Sequence, residues 1–95
     1  MYYNLGINYR NLGKIADSIK AFRTAIELNE NKPAAHNNSG LSNFESEAYG
    51  PAIKDFNQAI KKSGGLIAVH FNNRGLAFYH MHENVKALED FGKAI

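Results

Sequence analysis

The fold is decided by residues 67–95, IAVHFNNRGLAFYHMHENVKALEDFGKAI, which are the third copy of a pattern that fills the chain. Five columns recur in all three copies: Gly6, Gly40 and Gly75; Phe22, Phe56 and Phe91; Ala25, Ala59 and Ala94; Ile26, Ile60 and Ile95; and Ser18, Ala52 and Ala87. Successive copies are 34 and then 35 residues apart. A fixed period of this length indicates a stack of repeated units rather than one closed core.

The apolar residues of each copy follow the period of an α-helix. One run has the spacing four, three, four and occurs twice, as Ile15, Ile19, Phe22 and Ile26 and as Tyr49, Ile53, Phe56 and Ile60. That spacing is one face of a helix. Turn-forming residues separate the runs at 13–14, 29–33, 50–51 and 63–65. We therefore predict an all-α fold with helices over 2–12, 15–28, 33–46, 49–62, 67–81 and 84–95, the third beginning at Pro33 in a first turn.

The repeated glycines and phenylalanines predict how the helices pack. A glycine lets a neighbouring helix approach closely, and a phenylalanine opposite fills the gap. A single helical hairpin is too small to close a core, so the second helix of one hairpin is expected to bury against the first helix of the next. The one extra residue of the second step falls at Gly64 or Gly65, where a loop absorbs it at little cost.

Composition excludes several classes of protein. The 95 residues are 44% hydrophobic and contain no apolar run of membrane-spanning length, which indicates one small unit and no membrane partner. The net charge is +2, and the basic residues are scattered apart from Lys61-Lys62, so nucleic acid is not expected as a partner. Cysteine and a signal-peptide pattern are absent. A cytoplasmic location is predicted, with the nucleus as the alternative.

The recurring residues resemble tetratricopeptide repeats over the whole chain. In the first copy they are Leu5-Gly6, Tyr9, Phe22 and Ala25-Ile26, and in the third Asn72-Asn73-Arg74-Gly75, Phe78, Ala87-Leu88, Phe91 and Ala94-Ile95. The middle copy departs from the pattern, with Ser39 in the Leu5 column, Asn43 in the column of Tyr9 and Phe78, and His36 in that of Tyr2 and Phe71. These departures predict looser packing in the middle repeat.

The resemblance implies a right-handed superhelical solenoid of six antiparallel helices. Its first helices would line a concave groove, which in this family binds peptides. We expect one domain, with repeats at approximately 1–32, 33–66 and 67–95, that is a fragment of a longer array. The predicted function is a protein–protein interaction module, and the alternative is a structural or oligomerising segment of a larger scaffold protein.

Asparagine is the recurrent residue of the predicted groove. Asn4, Asn38 and Asn73 occupy one column, and Asn37 and Asn72 add a second. Asparagine is a mediocre helix former, so its repetition needs a reason. A side-chain amide can donate to a peptide C=O and accept from a peptide N–H, which suggests a ladder that holds peptide backbone. The alternative interpretation is that these amides bond neighbouring backbone or water.

Apolar side chains lie between the predicted rungs. Ile7, Leu41 and Leu76 form a stripe, with Phe44 and Tyr79 beside it, which would take side chains of the ligand. The alternative is that the two aromatic residues are buried between repeats. Arg10 would be the main cation of the groove, either meeting an acidic ligand side chain or remaining solvated.

One ligand class of the family is disfavoured. The clamp that holds the C-terminal carboxylate of chaperones uses two Lys, two Asn and one Arg. Asn38 matches one of these positions, but the other four carry Tyr3, Ile7, Val69 and Asn73. Binding of chaperone tails is therefore not expected.

No enzyme or metal site can be assembled from the sequence. His70, His80 and His82 are close in the chain, but a pair two residues apart points to different faces of a helix, so exposed histidines without a metal are predicted. Neither a nucleophile–base pair nor a phosphate loop is present, and no cofactor is implied. Arg74 is expected to pair with Asp55 of the preceding hairpin in preference to Asp90; the alternative is a guanidinium in water.

The last helix carries an apolar face with nothing in the sequence to cover it. Its members are Val85, Leu88, Phe91 and Ile95. An uncovered apolar patch marks an association site. Self-association of the chain is therefore predicted, either by stacking of ends or by exchange of a hairpin about Gly64-Gly65.

Overall fold

The computed structural model describes residues 1–29 and 34–95. These residues form six helices: α1 (Tyr2–Asn11), α2 (Ile15–Glu27), α3 (Ala35–Glu45), α4 (Tyr49–Ser63), α5 (Ala68–His80) and α6 (Asn84–Ala94). The predicted bounds agree to within one residue, except that the predicted start at Pro33 lies outside the described residues. Within the described ranges there is no strand, so the all-α prediction is confirmed.

The helices form three hairpins, α1–α2, α3–α4 and α5–α6, stacked in chain order. Helix α2 packs on α3, and α4 packs on α5. The first helices α1, α3 and α5 also touch their successors, whereas no such contact joins the described parts of α2, α4 and α6. The stack therefore curves, with the first helices on its inner side. The predicted helical-hairpin solenoid is confirmed.

Each turn within a hairpin has the same backbone form. Gly13, Glu47 and His82 occupy one column, and all three have positive φ, at 78°, 64° and 62°. The following residue donates its N–H back into the first helix, as Lys14 does to the Tyr9 carbonyl at 2.8 Å. This is the left-handed helix ending that glycine favours. The turn of the middle hairpin is therefore at Glu47, not at Gly50, which lies inside α4.

Glycine and phenylalanine pack against each other, but within each hairpin rather than between successive hairpins. A Cβ added to Gly40 would lie 2.5 Å from the ring of Phe56, and one added to Gly6 would lie 2.7 Å from that of Phe22. Both rings are fully buried. The column of glycines therefore exists because the two helices of a hairpin approach too closely for any side chain.

The departures of the middle hairpin form one hydrogen-bonded group. The hydroxyl of Ser39 and the amide of Asn43 both donate to Asp55 Oδ2, each at 2.8 Å. Ser39 and Asn43 are buried, and Phe56 beside them is completely enclosed. Ser39, Asn43 and Asp55 stand where the first hairpin has Leu5, Tyr9 and Ala21, and they satisfy each other.

None of the helices in the described ranges has both the length and the hydropathy of a membrane span.

Candidate functional site

Two of the asparagines predicted to form the ladder are hydrogen-bonded to the preceding hairpin. The amide of Asn38 donates to the Tyr3 hydroxyl at 2.9 Å, and the amide of Asn73 donates to Asn37 Oδ1 at 3.1 Å. Tyr3 and Asn37 occupy the same column of successive repeats, so one bond recurs at both junctions. A ladder of three amides without partners in the protein is therefore wrong for Asn38 and Asn73, because each bonds to a side chain of the preceding first helix.

The asparagines differ in exposure. Asn73 is only 8% exposed, so it is part of the stack rather than of a groove surface. Asn37 and Asn38 are half-buried, and Asn4 and Asn72 are exposed. Asn4 has no preceding hairpin in this structure to receive its amide, and Asn72 has no following one to bond to it. Asn4 and Asn72 are therefore the two positions of this recurring bond that have no partner hairpin in this structure.

The apolar stripe becomes more exposed along the stack. Ile7 and Leu41 are half-buried, whereas Leu76 is 37% exposed and Tyr79 is 58% exposed. Tyr79 thus lies on the surface, as the binding interpretation requires. Phe44 does not: it is partly buried against the core formed by Ala52, Phe56 and Ala77, as the alternative interpretation has it.

Aromatic rings meet where the second and third hairpins join. Phe44 lies edge-on to Tyr49 and to His80, with ring centroids 5.3 Å apart in both pairs. The rings of Tyr49 and His80 are stacked, 5.1 Å apart and 10° from parallel. Tyr79 contacts the edge of His80. The sequence interpretation does not bring these rings together; it weighs His80 as a metal ligand and predicts an exposed histidine without a metal.

Arg10 is paired within the chain. Its Nε donates to Glu45 Oε1 at 3.1 Å, across the junction between the first and second hairpins, and both side chains are partly exposed. The sequence analysis considered an acidic ligand or water as the partner of Arg10, and neither interpretation included Glu45. Arg10 therefore brings little free positive charge to the groove.

The predicted pairing of Arg74 with Asp55 is wrong. Arg74 donates twice to Asp90 of its own hairpin, at 2.8 and 2.7 Å, and once to Asn57 Oδ1 at 2.9 Å. Asp90 faces it directly across α5 and α6, in a bidentate geometry that a guanidinium favours. Asp55 already accepts bonds from Ser39 and Asn43 in the equivalent place one hairpin earlier.

Burial shifts the titration of the middle hairpin. It raises the pKa of Asp55, and the hydrogen bonds from Ser39 and Asn43 oppose part of this rise. Burial lowers the pKa of His36, while the charge of Asp55 acts in the opposite direction. Asp55 lies inside the hairpin, and its carboxyl group accepts hydrogen bonds from Ser39 and Asn43. Its role is therefore structural rather than catalytic.

The histidines do not share one environment. His70 is buried, contrary to the predicted exposure, and its Nδ1 lies 3.4 Å from the Ser63 hydroxyl. Burial lowers the pKa of His70. His82 is exposed in the third turn. In residues 1–29 and 34–95, no three histidine or acidic side chains lie close enough together to hold a metal ion.

A buried hydroxyl pair was missed by the sequence interpretation. The hydroxyls of Ser18 and Ser42 lie 2.9 Å apart, both fully buried between the first and second hairpins. Their columns continue as Ala52 and Ala77 at the next junction. The signal was available, because Ser18 stands in a column of small residues, but its partner could not be paired without knowing which helix faces which.

Comparisons with known proteins agree with this geometry. Residues 1–32 match the model of the family described as Tetratricopeptide repeat. Over 76 residues the chain is 28% identical to neutrophil cytosol factor 2 of Bos taurus, an alignment that covers 80% of this chain and 14% of that protein. The chain therefore corresponds to a small part of this relative.

Solved structures superpose on nearly the whole chain. The second TPR of Spaghetti (RPAP3), bound to the HSP90 peptide SRMEEVD, gives a TM-score of 0.90 at 22% identity and covers 98% of this chain and 85% of that one. The crystal structure of MamA gives 0.91 at 26% identity, covering 98% of this chain and 54% of that one.

Proposed function

We propose that this chain, which has the fold of a tetratricopeptide-repeat solenoid and matches the model of that repeat over residues 1–32, is a protein-interaction module whose inner face binds an extended peptide segment of a partner. One observation carries the proposal. Leu76 and Tyr79 expose apolar surface on the inner helix α5, and Asn72 lies on the same face one turn earlier. Exposed aromatic and aliphatic side chains next to a free amide are the usual components of a peptide site.

The peptide backbone would be bound by those asparagine amides that still have an unpaired N–H donor or carbonyl acceptor. Each side-chain amide has two N–H donors and one carbonyl acceptor. Asn38 spends one donor on Tyr3, and Asn37 spends its carbonyl on Asn73, so both retain groups for a ligand. Asn4 and Asn72 are exposed at the two ends. We therefore assign the ladder to these four amides and give Asn73 the role of orienting Asn37.

The charge of the inner helices favours an uncharged ligand. Their two arginines are both paired, Arg10 with Glu45 and Arg74 with Asp90, and they carry no lysine. The peptide bound to the similar solved structure, SRMEEVD, has three acidic side chains. On the described inner helices such a peptide would meet no unpaired Lys or Arg in exchange for the water it loses. Apolar and neutral polar side chains are the better fit.

Affinity is expected to be modest. About six backbone hydrogen bonds at a net ~1 kcal/mol each would barely offset an association cost of ~4–15 kcal/mol. The aromatic surface near Tyr79 would have to supply the remainder.

The test is a display selection of random peptides against the chain, followed by titration of one selected peptide. Leu76→Ser and Tyr79→Ser should each weaken that peptide about fivefold or more, since each removes an apolar contact worth ~1 kcal/mol or more. Leu28→Ser is the matched control, because Leu28 is exposed at the end of α2, away from the inner helix α5. Equal losses from all three variants would contradict the proposal, and so would tight binding of SRMEEVD.

A separate observation, the exposed apolar face of α6, supports the alternative function, self-association. Val85 and Leu88 on α6 are each 71% exposed, whereas Ile53, in the Leu88 column of the middle hairpin, is partly buried beneath the third. We propose that a second copy covers this face in the isolated chain, continuing the existing junctions. Light scattering over a concentration series should show a rising mass, which Leu88→Glu abolishes. A constant monomer mass would overturn it.

A further inference from the structure

The connection between α4 and α5 carries two exposed aliphatic side chains, Leu66 and Ile67, which together are called the apolar tip. Leu66 is 86% exposed and Ile67 is 43% exposed. Gly64 and Gly65 precede them with φ of 69° and 73°, and the Gly65 N–H donates to the Ile60 carbonyl at 2.9 Å. This bond is a Schellman-type helix ending, which fixes the direction in which the chain leaves α4. The apolar tip therefore projects from a turn of defined geometry.

Three lysines lie near the apolar tip. Lys61 and Lys62 are exposed in the last turn of α4. Lys93 Nζ of α6 lies 5.6 Å from the ring centroid of Phe71, and a Cβ added to Gly65 would lie 3.8 Å from the same ring. Lys93 is therefore close to the turn in space, although it is distant in the chain.

Few acidic residues oppose these lysines. Residues 56–82 contain no Asp or Glu. On other helices, Glu89 precedes Lys93 by one turn, and Glu27 of α2 stands in the Lys61 column one repeat earlier. The described parts of α2 and α4 are not in contact, so Glu27 is separated from Lys61 by about a Debye length at ordinary salt. The surroundings of the apolar tip therefore carry a net positive charge.

The lysines have a structural explanation, but the apolar tip does not. Cations in the last turn of a helix interact favourably with its dipole, which alone would account for Lys61 and Lys62. Exposing Leu66 to water stabilises nothing. A side chain that keeps 86% of its surface also has no walls around it, whereas a pocket for a ligand side chain is concave. A fluid apolar interface can surround a projecting side chain without such walls.

We propose that the apolar tip inserts into the surface of an anionic lipid membrane. Leu66 and Ile67 enter the boundary between headgroups and acyl chains, while Lys61, Lys62 and Lys93 remain at the headgroups and attract acidic lipids. The sequence expectation of no membrane partner rests on the length of apolar runs, which bears on a spanning helix and not on a surface contact. Two aliphatic side chains and three lysines make this contact weak and reversible.

The first experiment places a tryptophan at the apolar tip. The chain contains no other tryptophan, so a single indole reports on its own position. The emission of Leu66→Trp should shift to the blue when vesicles of phosphatidylcholine with about 30% phosphatidylserine are added. Leu12→Trp is the matched control, because Leu12 is 71% exposed in the turn after α1, at the opposite end of the antiparallel helices. Its emission should not change.

The second experiment measures co-sedimentation of the parent chain and its variants with the same vesicles. Lys61→Gln and Lys62→Gln should each weaken binding about fivefold, and added salt should remove this difference. Leu66→Ser should weaken binding about tenfold, because it removes the most exposed side chain of the apolar tip. Lys14→Gln and Leu12→Ser make the same changes in the turn after α1 and should leave binding unchanged.

Two further samples identify the class of partner. Vesicles of phosphatidylcholine alone should bind the parent chain more weakly than the anionic vesicles do. The soluble acidic peptide SRMEEVD should not shift the emission of Leu66→Trp; a shift would indicate an acidic peptide as the ligand and would overturn the proposal. Equal shifts of Leu66→Trp and Leu12→Trp, equal binding to neutral and anionic vesicles, or no binding to either would also overturn it.

Discussion

The two junctions between hairpins use equivalent positions and different chemistry. Between the first and second hairpins, Ser18 and Ser42 share a hydrogen bond inside the stack. Between the second and third, the same columns hold Ala52 and Ala77, both fully buried in an apolar cluster. Both pairs are small, so the helices can approach equally closely. The junction thus requires small side chains, and either a hydroxyl pair or a methyl pair meets that requirement.

The contrast continues toward the inner face. Arg10 and Glu45 form an ion pair at the first junction, and their columns continue as Phe44 and His80, which meet edge-on at the second. A partly exposed ion pair contributes little to stability, whereas rings packed against each other remove apolar surface from water. The second junction should therefore be the stronger. The same difference places the apolar surface of the proposed peptide site at the third hairpin.

The largest expected effect is at the apolar junction. Phe56→Ala should lower the free energy of unfolding by about 3–5 kcal/mol, because Phe56 is fully enclosed and packs with Ala52 and Ala77. Phe91 is only half-buried at the end of the stack, so Phe91→Ala should cost less. Urea unfolding of both variants checks the order. The reverse order would mean that the covered face has been misassigned.

Next in size is the hydroxyl pair. Ser18→Ala should destabilise the chain by about 1–3 kcal/mol, because it leaves the enclosed Ser42 hydroxyl without Ser18. Ser42→Ala should cost less, since Ser18 keeps its bond of 2.7 Å to the Ile15 carbonyl. The double variant reproduces the alanine pair of the other junction and should be more stable than Ser18→Ala alone. A double variant that loses the sum of both single effects would contradict this.

A smaller effect is expected from the titration of Asp55, which makes the stability of the middle hairpin depend on pH. The pKa of Asp55 is raised from 3.8, so its contribution to stability is complete below that value and is lost as the pH rises through the raised pKa. Asp55→Asn does not titrate and can still accept from Ser39 and Asn43. Its stability relative to the parent should therefore increase from pH 4 upward. Both proteins should carry His36→Phe, which removes the neighbouring titration. A difference that is flat with pH would refute the assignment.

The smallest expected effect is at the exposed ion pair. Glu45→Gln should change stability by less than about 1 kcal/mol, and added salt should remove most of the difference. His80→Ala, in the Glu45 column, removes ring contacts instead, so its cost should persist in salt. Thermal unfolding at low and high salt distinguishes the two. Similar salt dependence in both variants would contradict the difference in chemistry.

The fold could be predicted because its determinants are local and repeated. The Gly6 and Phe22 columns fix close approach within each hairpin, and the helical period fixes the bounds. The hydrogen-bond and ion-pair partners of the side chains could not be predicted from the sequence, because they depend on which residues face each other across a junction. Arg74 could in principle reach Asp55 or Asp90, which share one column, and the pairing with Asp90 follows from its position directly across the hairpin. The asparagine column was recognised, but its bond to the preceding helix requires knowing that Tyr3 and Asn37 lie beside it.

The central claim, that the apolar junction is stronger than the hydrogen-bonded one, is tested most directly by native-state hydrogen exchange. Helices α2 and α5 each join an end hairpin to the middle one, so the amides of Phe22 and Ala77 report on equivalent attachments. We expect the first hairpin to open at a lower free energy, with Phe22 and Ala25 exchanging faster than Ala77 and Phe56. Equal protection of the two sets, or slower exchange in α2, would contradict the claim.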